Sequence, residues 1–375
     1  MLVNNTKRTL TAVAGILAMF GAASAFAEYG LNLTPGVTPI SHEAHDLHML
    51  IVKICIGIGV VVFGAMFISI LSHRKSKGVQ PAQFHESTAV EIVWTIVPFL
   101  ILVGMAIPAT KALVAMEDTS DADISIKVTG YQWRWGYDYV DNGVSFISTL
   151  ATPKEAIYNE QAKGDHYLLE VDKPLVVPVN KKVRLLVTSN DVIHAWWVPQ
   201  LGMKKDAIPG FINEMWFKIE KEGTYRGQCA ELCGKDHGFM PIVVVAKNEA
   251  DYNQWVASQK SDAVADQAAA QRDWTKAELM ERGEKVYNTT CAACHQANGQ
   301  GVPGAFPALV GGAIATGPKD AHLALVMNGK PGTAMAAFGG QLSDTDLAAV
   351  VTYERNAWGN NTGDLVQPSE VKAAR

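Results

Sequence analysis

Charge is scarce in this chain. Of its 375 residues only 18% are Asp, Glu, Lys or Arg, and 32 cations stand against 37 anions, a formal charge of −5. A chain with no basic excess is not composed to bind nucleic acid. Cysteine is scarce as well, five residues in all, of which Cys55 stands alone in an apolar run and takes no role. No internal repeat is visible, and the βαβ alternation that a thioredoxin-like protein requires is missing. The length exceeds one ordinary domain, so two or three units are expected.

Hydrophobic residues, by contrast, make up 48% of the chain. Residues 1–27 read as a signal peptide: Lys7 and Arg8 form a positive start, Leu10–Phe20 an apolar core, and Ala25-Phe26-Ala27 a cleavage site. Its removal takes away two cations and no anions, moving the formal charge from −5 to −7. Two further runs are long enough to span a bilayer: Met49–Leu71, 23 residues with one charge at Lys53, and Ile92–Ala109, 18 residues with none. Membrane helices tolerate prolines such as Pro98 and Pro108. The loop between the runs holds Arg74, Lys75 and Lys77, so the positive-inside rule makes it cytoplasmic. Both outer ends of the hairpin and everything after residue 110 are then expected on the other, exported side of the membrane.

Beyond the hairpin, residues 41–112, the pattern changes twice. Residues 120–247 carry short β-branched runs, "ISIKV", "LVVPV", "VRLLV" and "IVVV", separated by turn signals at Asn180-Lys181 and Glu222-Gly223. About seven short strands in such a stretch predict an all-β Greek-key sandwich. Residues 248–273 are polar and Ala-rich and read as a linker whose first part forms a short helix around Trp255. From 274 to 360 the pattern is helical, with Ser343 and Asp346 placed to cap a late helix. Residues 361–375 have little to bury and read as a frayed tail.

Chemistry concentrates in "CAELCGKDHGFM", which sets Cys229, Cys233, His237 and Met240 within twelve residues. Thiolate, imidazole and thioether together suit copper. One thiolate exceeds the needs of a single blue copper, whereas two thiolates can bridge two coppers, each completed by a His. The second imidazole is expected from His194 in "SNDVIHAWWVP". A zinc site, a disulfide and a copper carrier compete with this reading. Structural zinc usually shows C-x-x-C knuckles and has little place for a Met. Downstream, "CAACH" (Cys291 to His295) is the c-type haem attachment pattern, two thiols for the vinyl groups and an imidazole for iron. Its distal ligand is Met335 or Met327, and His/Met ligation favours a higher potential. Met327 looks like a helical core residue, whereas Met335 lies in the Gly/Pro-rich "GKPGTAMAAFGG".

The motifs "AVEIVWTIVP", "GYQWRWGYDY", "SNDVIHAWWVP", "KKDAIPG" and "CAELCGKDHGFM" closely resemble subunit II of the haem–copper cytochrome c oxidases, over residues 41–247. The segment 274–360, with "GAFPAL" and "TYERNAWGN", resembles a class I cytochrome c domain. The resemblance implies a cupredoxin-like sandwich whose His194, Cys229, Cys233, His237 and Met240 bind the copper pair CuA through side chains, and Glu231 through its carbonyl. It implies a magnesium ion on the Glu231 carboxylate at subunit I, an electron-accepting Trp133, and Glu91 at the cytoplasmic mouth of a proton path. It makes Met335 the haem ligand. The implied partners are subunit I with its haem and CuB, subunit III, and a cytochrome c or similar donor; the implied activity is a proton-translocating oxidase. Phe211 stands where many relatives have Arg, which bears on contacts around the haem propionates of subunit I.

Overall fold

The membrane hairpin is the longest regular structure in the chain. The computed structural model describes residues 32–80, 83 and 85–375, so the predicted signal peptide lies outside the described residues. Helix α1 (Pro39–Ser72) and helix α2 (Thr88–Glu117) are uniformly apolar over their middles, with mean hydropathy windows of 2.7 and 2.3. Both exceed the roughly 20 residues that a bilayer requires. α1 starts sharply because Thr38 and Ser41 cap each other across Pro39 at the first helical position. The same Thr38 hydroxyl donates to the Leu201 carbonyl at 2.9 Å, and Trp216 Nε1 donates to the Ala115 carbonyl at 3.1 Å near the end of α2. The outer ends of both helices are thereby tied to the β domain.

That domain has ten strands: β1 (Ile124–Tyr131), β2 (Arg134–Tyr139), β3 (Val144–Ser148), β4 (Leu175–Pro178), β5 (Val183–Ser189), β6 (His194–Val198), β7 (Met203–Ala207), β8 (Asn213–Phe217), β9 (Gly223–Cys229) and β10 (Pro241–Lys247). They form two five-stranded sheets in the orders β3-β2-β1-β5-β8 and β4-β10-β9-β6-β7. The sheets enclose one core that includes Trp135, Trp196, Leu185 and Phe217, all fully buried. Strands such as "MKKDA" and "GTYRGQC" lack an apolar alternation, which is why the sequence pattern shows fewer than ten.

The expected linker is a continuous helix, α4 (Glu249–Ala269), capped by Asn248; α3 is a single turn at Lys154–Ile157. Ala and other strong helix formers make it one. Tyr252 and Val256 bury against the sandwich, and the Trp255 ring packs at 5.3 Å on Tyr139 and 6.2 Å on Phe146. The C-terminal unit contains α5 (Lys276–Thr290), α6 (Ala292–His295), α7 (Lys319–Asn328), α8 (Asp344–Asn356) and α9 (Pro368–Ala374). Helices α5 and α8 cross so closely that a Cβ on Gly283 would lie 2.2 Å from the Ala349 carbonyl oxygen. Residues 361–375, expected to fray, are ordered: Val366 and Val371 are fully buried, and α9 closes the helical core.

Candidate functional site

The sandwich brings two separate segments to one point. His194 is the first residue of β6 and Cys229 the last of β9, and these strands are hydrogen-bonded neighbours. The loop from β9 to β10 carries Cys233, His237 and Met240 back beneath them. The two sulfurs lie 3.8 Å apart, far beyond the roughly 2.05 Å of a disulfide. Cys229 Sγ faces His194 Nδ1 at 4.0 Å and the Glu231 carbonyl oxygen at 3.4 Å. Cys233 Sγ faces His237 Nδ1 at 3.4 Å and Met240 Sδ at 3.6 Å. All six expected groups therefore converge, and each sulfur has its own imidazole. His194 is completely buried, with a ring so tightly seated that a Cβ on Gly130 would come within 2.7 Å of it.

The electrostatics of this cluster fit a cation. The hydrogen bond from Cys233 holds the Cys229 thiol well below its ordinary pKa; giving that bond, together with burial and the repulsion of a second thiolate, pushes the Cys233 thiol up. Burial disfavours a charged His194, but Asp191 and Cys229 outweigh it and raise its pKa. Soft sulfur and imidazole donors around two adjacent thiols suit copper. Zinc would leave the Met without use.

In the C-terminal unit, Cys291 and Cys294 are unbridged, and His295 follows at the end of α6. His295 Nδ1 bonds the Pro307 carbonyl at 2.8 Å, so Nε2 is the nitrogen free for a metal. Met327 is buried in α7 beside Leu323 and Val326. Met335 is half-buried in the following loop, at the edge of the same cluster. The packing expected of Gly283, Tyr287 and Tyr353 is present, with the two tyrosine rings 5.6 Å apart and Trp358 against both.

Residues 27–112 match the family model described as cytochrome C oxidase subunit II, transmembrane domain, and residues 124–247 match its periplasmic domain. A probable cytochrome c oxidase subunit 2 of Rickettsia bellii (strain RML369-C) is 39% identical over 256 residues, covering 68% of this chain and 93% of that protein. This chain belongs to the cytochrome c oxidase subunit II family. The cytochrome c oxidase subunit 2 of Cereibacter sphaeroides is 37% identical over 240 residues, 60% of this chain and 79% of the relative. Residues 278–353 match a further family, cytochrome C oxidase, cbb3-type, subunit III, so a cytochrome c domain is fused to this subunit II. The crystal structure of the periplasmic domain of subunit II of cytochrome oxidase from Bradyrhizobium japonicum is 46% identical, covers 38% of this chain and 98% of that one, and superposes with a TM-score of 0.35.

Family membership makes this an inner-membrane component of a haem–copper oxidase with a periplasmic domain, and copper and haem accord with both families. Within the subunit II fold, Trp133 adjoins the metal cluster: its Nε1 donates to the Cys233 carbonyl at 3.1 Å. Glu91 lies in the first turn of α2, beside the 73–87 connection and far in sequence from the cluster. The Glu231 side chain is exposed, with its carbonyl toward Cys229. Phe211 is 67% exposed. One residue the motif reading passed over is Asp191, which binds His194 Nε2 at 2.9 Å and accepts the Gln132 backbone N–H at 2.8 Å. It links an expected ligand to the segment holding Trp133. A carboxylate three residues before a candidate ligand His was the available signal.

Proposed function

We propose that this chain is the electron-accepting subunit of a proton-translocating cytochrome c oxidase, with a copper domain at 120–247 and a haem-bearing domain at 274–360. In this reading the side chains of His194, Cys229, Cys233, His237 and Met240 and the main-chain carbonyl of Glu231 hold two copper ions. Cys291 and Cys294 attach haem c, with His295 and Met335 on its iron. Bound there, these groups supply one-electron carriers between a cytochrome c or similar donor and the haem–copper centre of subunit I, where O2 is reduced to water. The protein's own residues do the positioning. Asp191 and Pro307 fix the two ligand imidazoles, and Trp133 provides an aromatic contact to the Cys233 carbonyl for an incoming electron. The exposed Glu231 carboxylate is available to a magnesium ion at subunit I, and Glu91 to a cytoplasmic proton path. Subunit III completes the assembly, and both termini face the periplasm.

Two unbridged sulfurs 3.8 Å apart, each with its own imidazole, favour this function above the zinc, disulfide and carrier alternatives. The test is metal analysis and EPR of the full chain produced without the other oxidase subunits. Two coppers per chain and the seven-line pattern of an electron shared by both nuclei are expected. One copper with a four-line spectrum would remove the proposal.

A further inference from the structure

Arg134 belongs to none of the ligand sets above. It opens β2 of the copper domain, directly after Trp133. Its guanidinium reaches the cytochrome domain, where it sits 5.1 Å over the Phe338 ring. The residue is 5% exposed, has no salt bridge among the described residues, and its Nε has no hydrogen-bond partner. Burying an unpaired cation is costly, so its surroundings have to compensate. Desolvation pulls its pKa below the ordinary arginine value, opposed by Cys291, Tyr131, Asp191 and Cys294, which lie near enough to couple to it electrostatically.

Other contacts join the same two surfaces. Lys235, in the copper loop, donates from Nζ to the Ala293 carbonyl at 2.5 Å, inside the Cys291–His295 motif. The same ammonium stands 6.0 Å from the Trp133 ring. Lys154 reaches Asn288 Oδ1 at 3.3 Å, one turn before Cys291. The haem-attachment face is thus met by cations of the copper domain, and Trp133 adjoins both Lys235 and the Cys233 carbonyl.

We propose that Arg134 is an interdomain positioning residue: seated on Phe338 beside Cys291 and Cys294, it clamps the haem-attachment face onto Trp133 and the copper loop. The proposal rests on the haem and copper assignments above. It has two consequences. The clamp fixes the distance over which electrons pass between the domains, on which the rate of transfer depends steeply. The fixed positive charge also disfavours the oxidised, more positive haem iron and so raises its potential.

The test uses full oxidase carrying Arg134→Gln, Arg134→Lys or Phe338→Leu. The haem c potential is titrated, and electron equilibration between haem c and copper is timed after flash reduction. With both optical and EPR signatures intact, Arg134→Gln is expected to lower the potential and to slow equilibration. Arg134→Lys restores the potential but only part of the rate, because an ammonium keeps the charge and loses the planar stack. Phe338→Leu, which leaves the copper domain untouched, slows equilibration too, and adding it to Arg134→Gln slows it no further. An unchanged rate in Arg134→Gln overturns the clamp whatever the potential does. Should that variant not assemble, an unchanged rate in Phe338→Leu overturns it instead. Absence of the haem c or paired-copper signature from the unaltered oxidase would strike the underlying assignment, a separate and visible result.

Discussion

Met335 and Met327 separate a ligand from a core residue in one experiment. Met327 is 7% exposed within α7 and packs in the helical core. Truncating a buried Met to Ala costs about 2–5 kcal/mol. For a domain of this size each kcal/mol lowers the melting midpoint by about 4–8 °C, so Met327→Ala is expected to lose at least about 8 °C. Its haem ligation stays intact. Met335 is placed differently. Its carbonyl accepts from Lys330 N at 2.9 Å and its N–H donates to Thr333 Oγ1 at 3.2 Å, so the backbone closes a local turn at this position. Half-buried at the cluster edge, its side chain contributes about 1 kcal/mol of packing at most. Yet Met335→Ala is expected to abolish the weak thioether–iron band of the oxidised chain and to lower the haem potential, because His/Met ligation favours the higher value. The assay is paired: the oxidised absorption spectrum, then thermal melting followed in the haem band. Loss of the thioether band in Met327→Ala with Met335→Ala silent would refute the assignment.

Cys233→Ser is expected to remove the paired-copper EPR signal while covalent haem survives denaturing electrophoresis; simultaneous loss of haem would show that the two domains do not fold independently. Asp191→Asn removes the carboxylate behind His194 Nε2, and copper retention against a chelator should fall about 10–100-fold, the usual scale for an outer-shell partner. Retention equal to the parent chain would show that the Asp191 contact does not orient the ligand. Arg355 holds the Asp364 carboxyl at about 2, below its ordinary 3.8, so this pair stabilises the cytochrome domain fully above that ordinary value. The contribution is lost as pH falls through the folded value. With Asp364 40% exposed, screening keeps it to about 1 kcal/mol. Acid titration of Asp364→Asn should therefore show a less stable domain at pH 7 and a flatter loss between pH 4 and 2; identical curves would dismiss the pair.

The convergence of the candidate ligands was legible because most of it is local. Cys229 to Met240 occupy one loop, and only His194 had to be sought elsewhere. Gly130 and Arg134 were not legible, since each owes its importance to a neighbour distant in sequence; Asp191 left only its spacing three residues before His194 as a signal. A glycine that makes room for the His194 ring looks like any other glycine until the strands are paired. The C-terminal stretch failed for a related reason. Leu365, Val366 and Val371 are the only large apolar residues in a polar stretch, with no periodic run to mark them, yet Val366 and Val371 fill the core against α8.

The helical form of the linker decides how the cytochrome domain is presented. A flexible chain of about fifteen residues spans on the order of 20 Å with a broad spread, which suits a domain that swings. As a 21-residue helix, α4 is instead a spacer of about 31 Å. Both ends are tied: Tyr252 and Trp255 pack on the sandwich, while Trp274 donates from Nε1 to the Ala269 carbonyl at 2.8 Å and from its backbone N to Gln367 Oε1 at 2.9 Å. Such a tether delivers its domain to one place and raises effective concentration only where the geometry matches. Near-balanced charge on the cytochrome domain, six cations against seven anions over 276–360, then needs no steering function. Ala263→Pro breaks the helix in its exposed half, at a cost of about 3 kcal/mol to the helix. If α4 sets the presentation, this variant should keep both metal signatures, slow equilibration between haem c and copper, and leave reduction of copper by small reagents unchanged. Equilibration at the parental rate would mean that the tether is dispensable and that the contacts around Arg134 hold the domains together unaided.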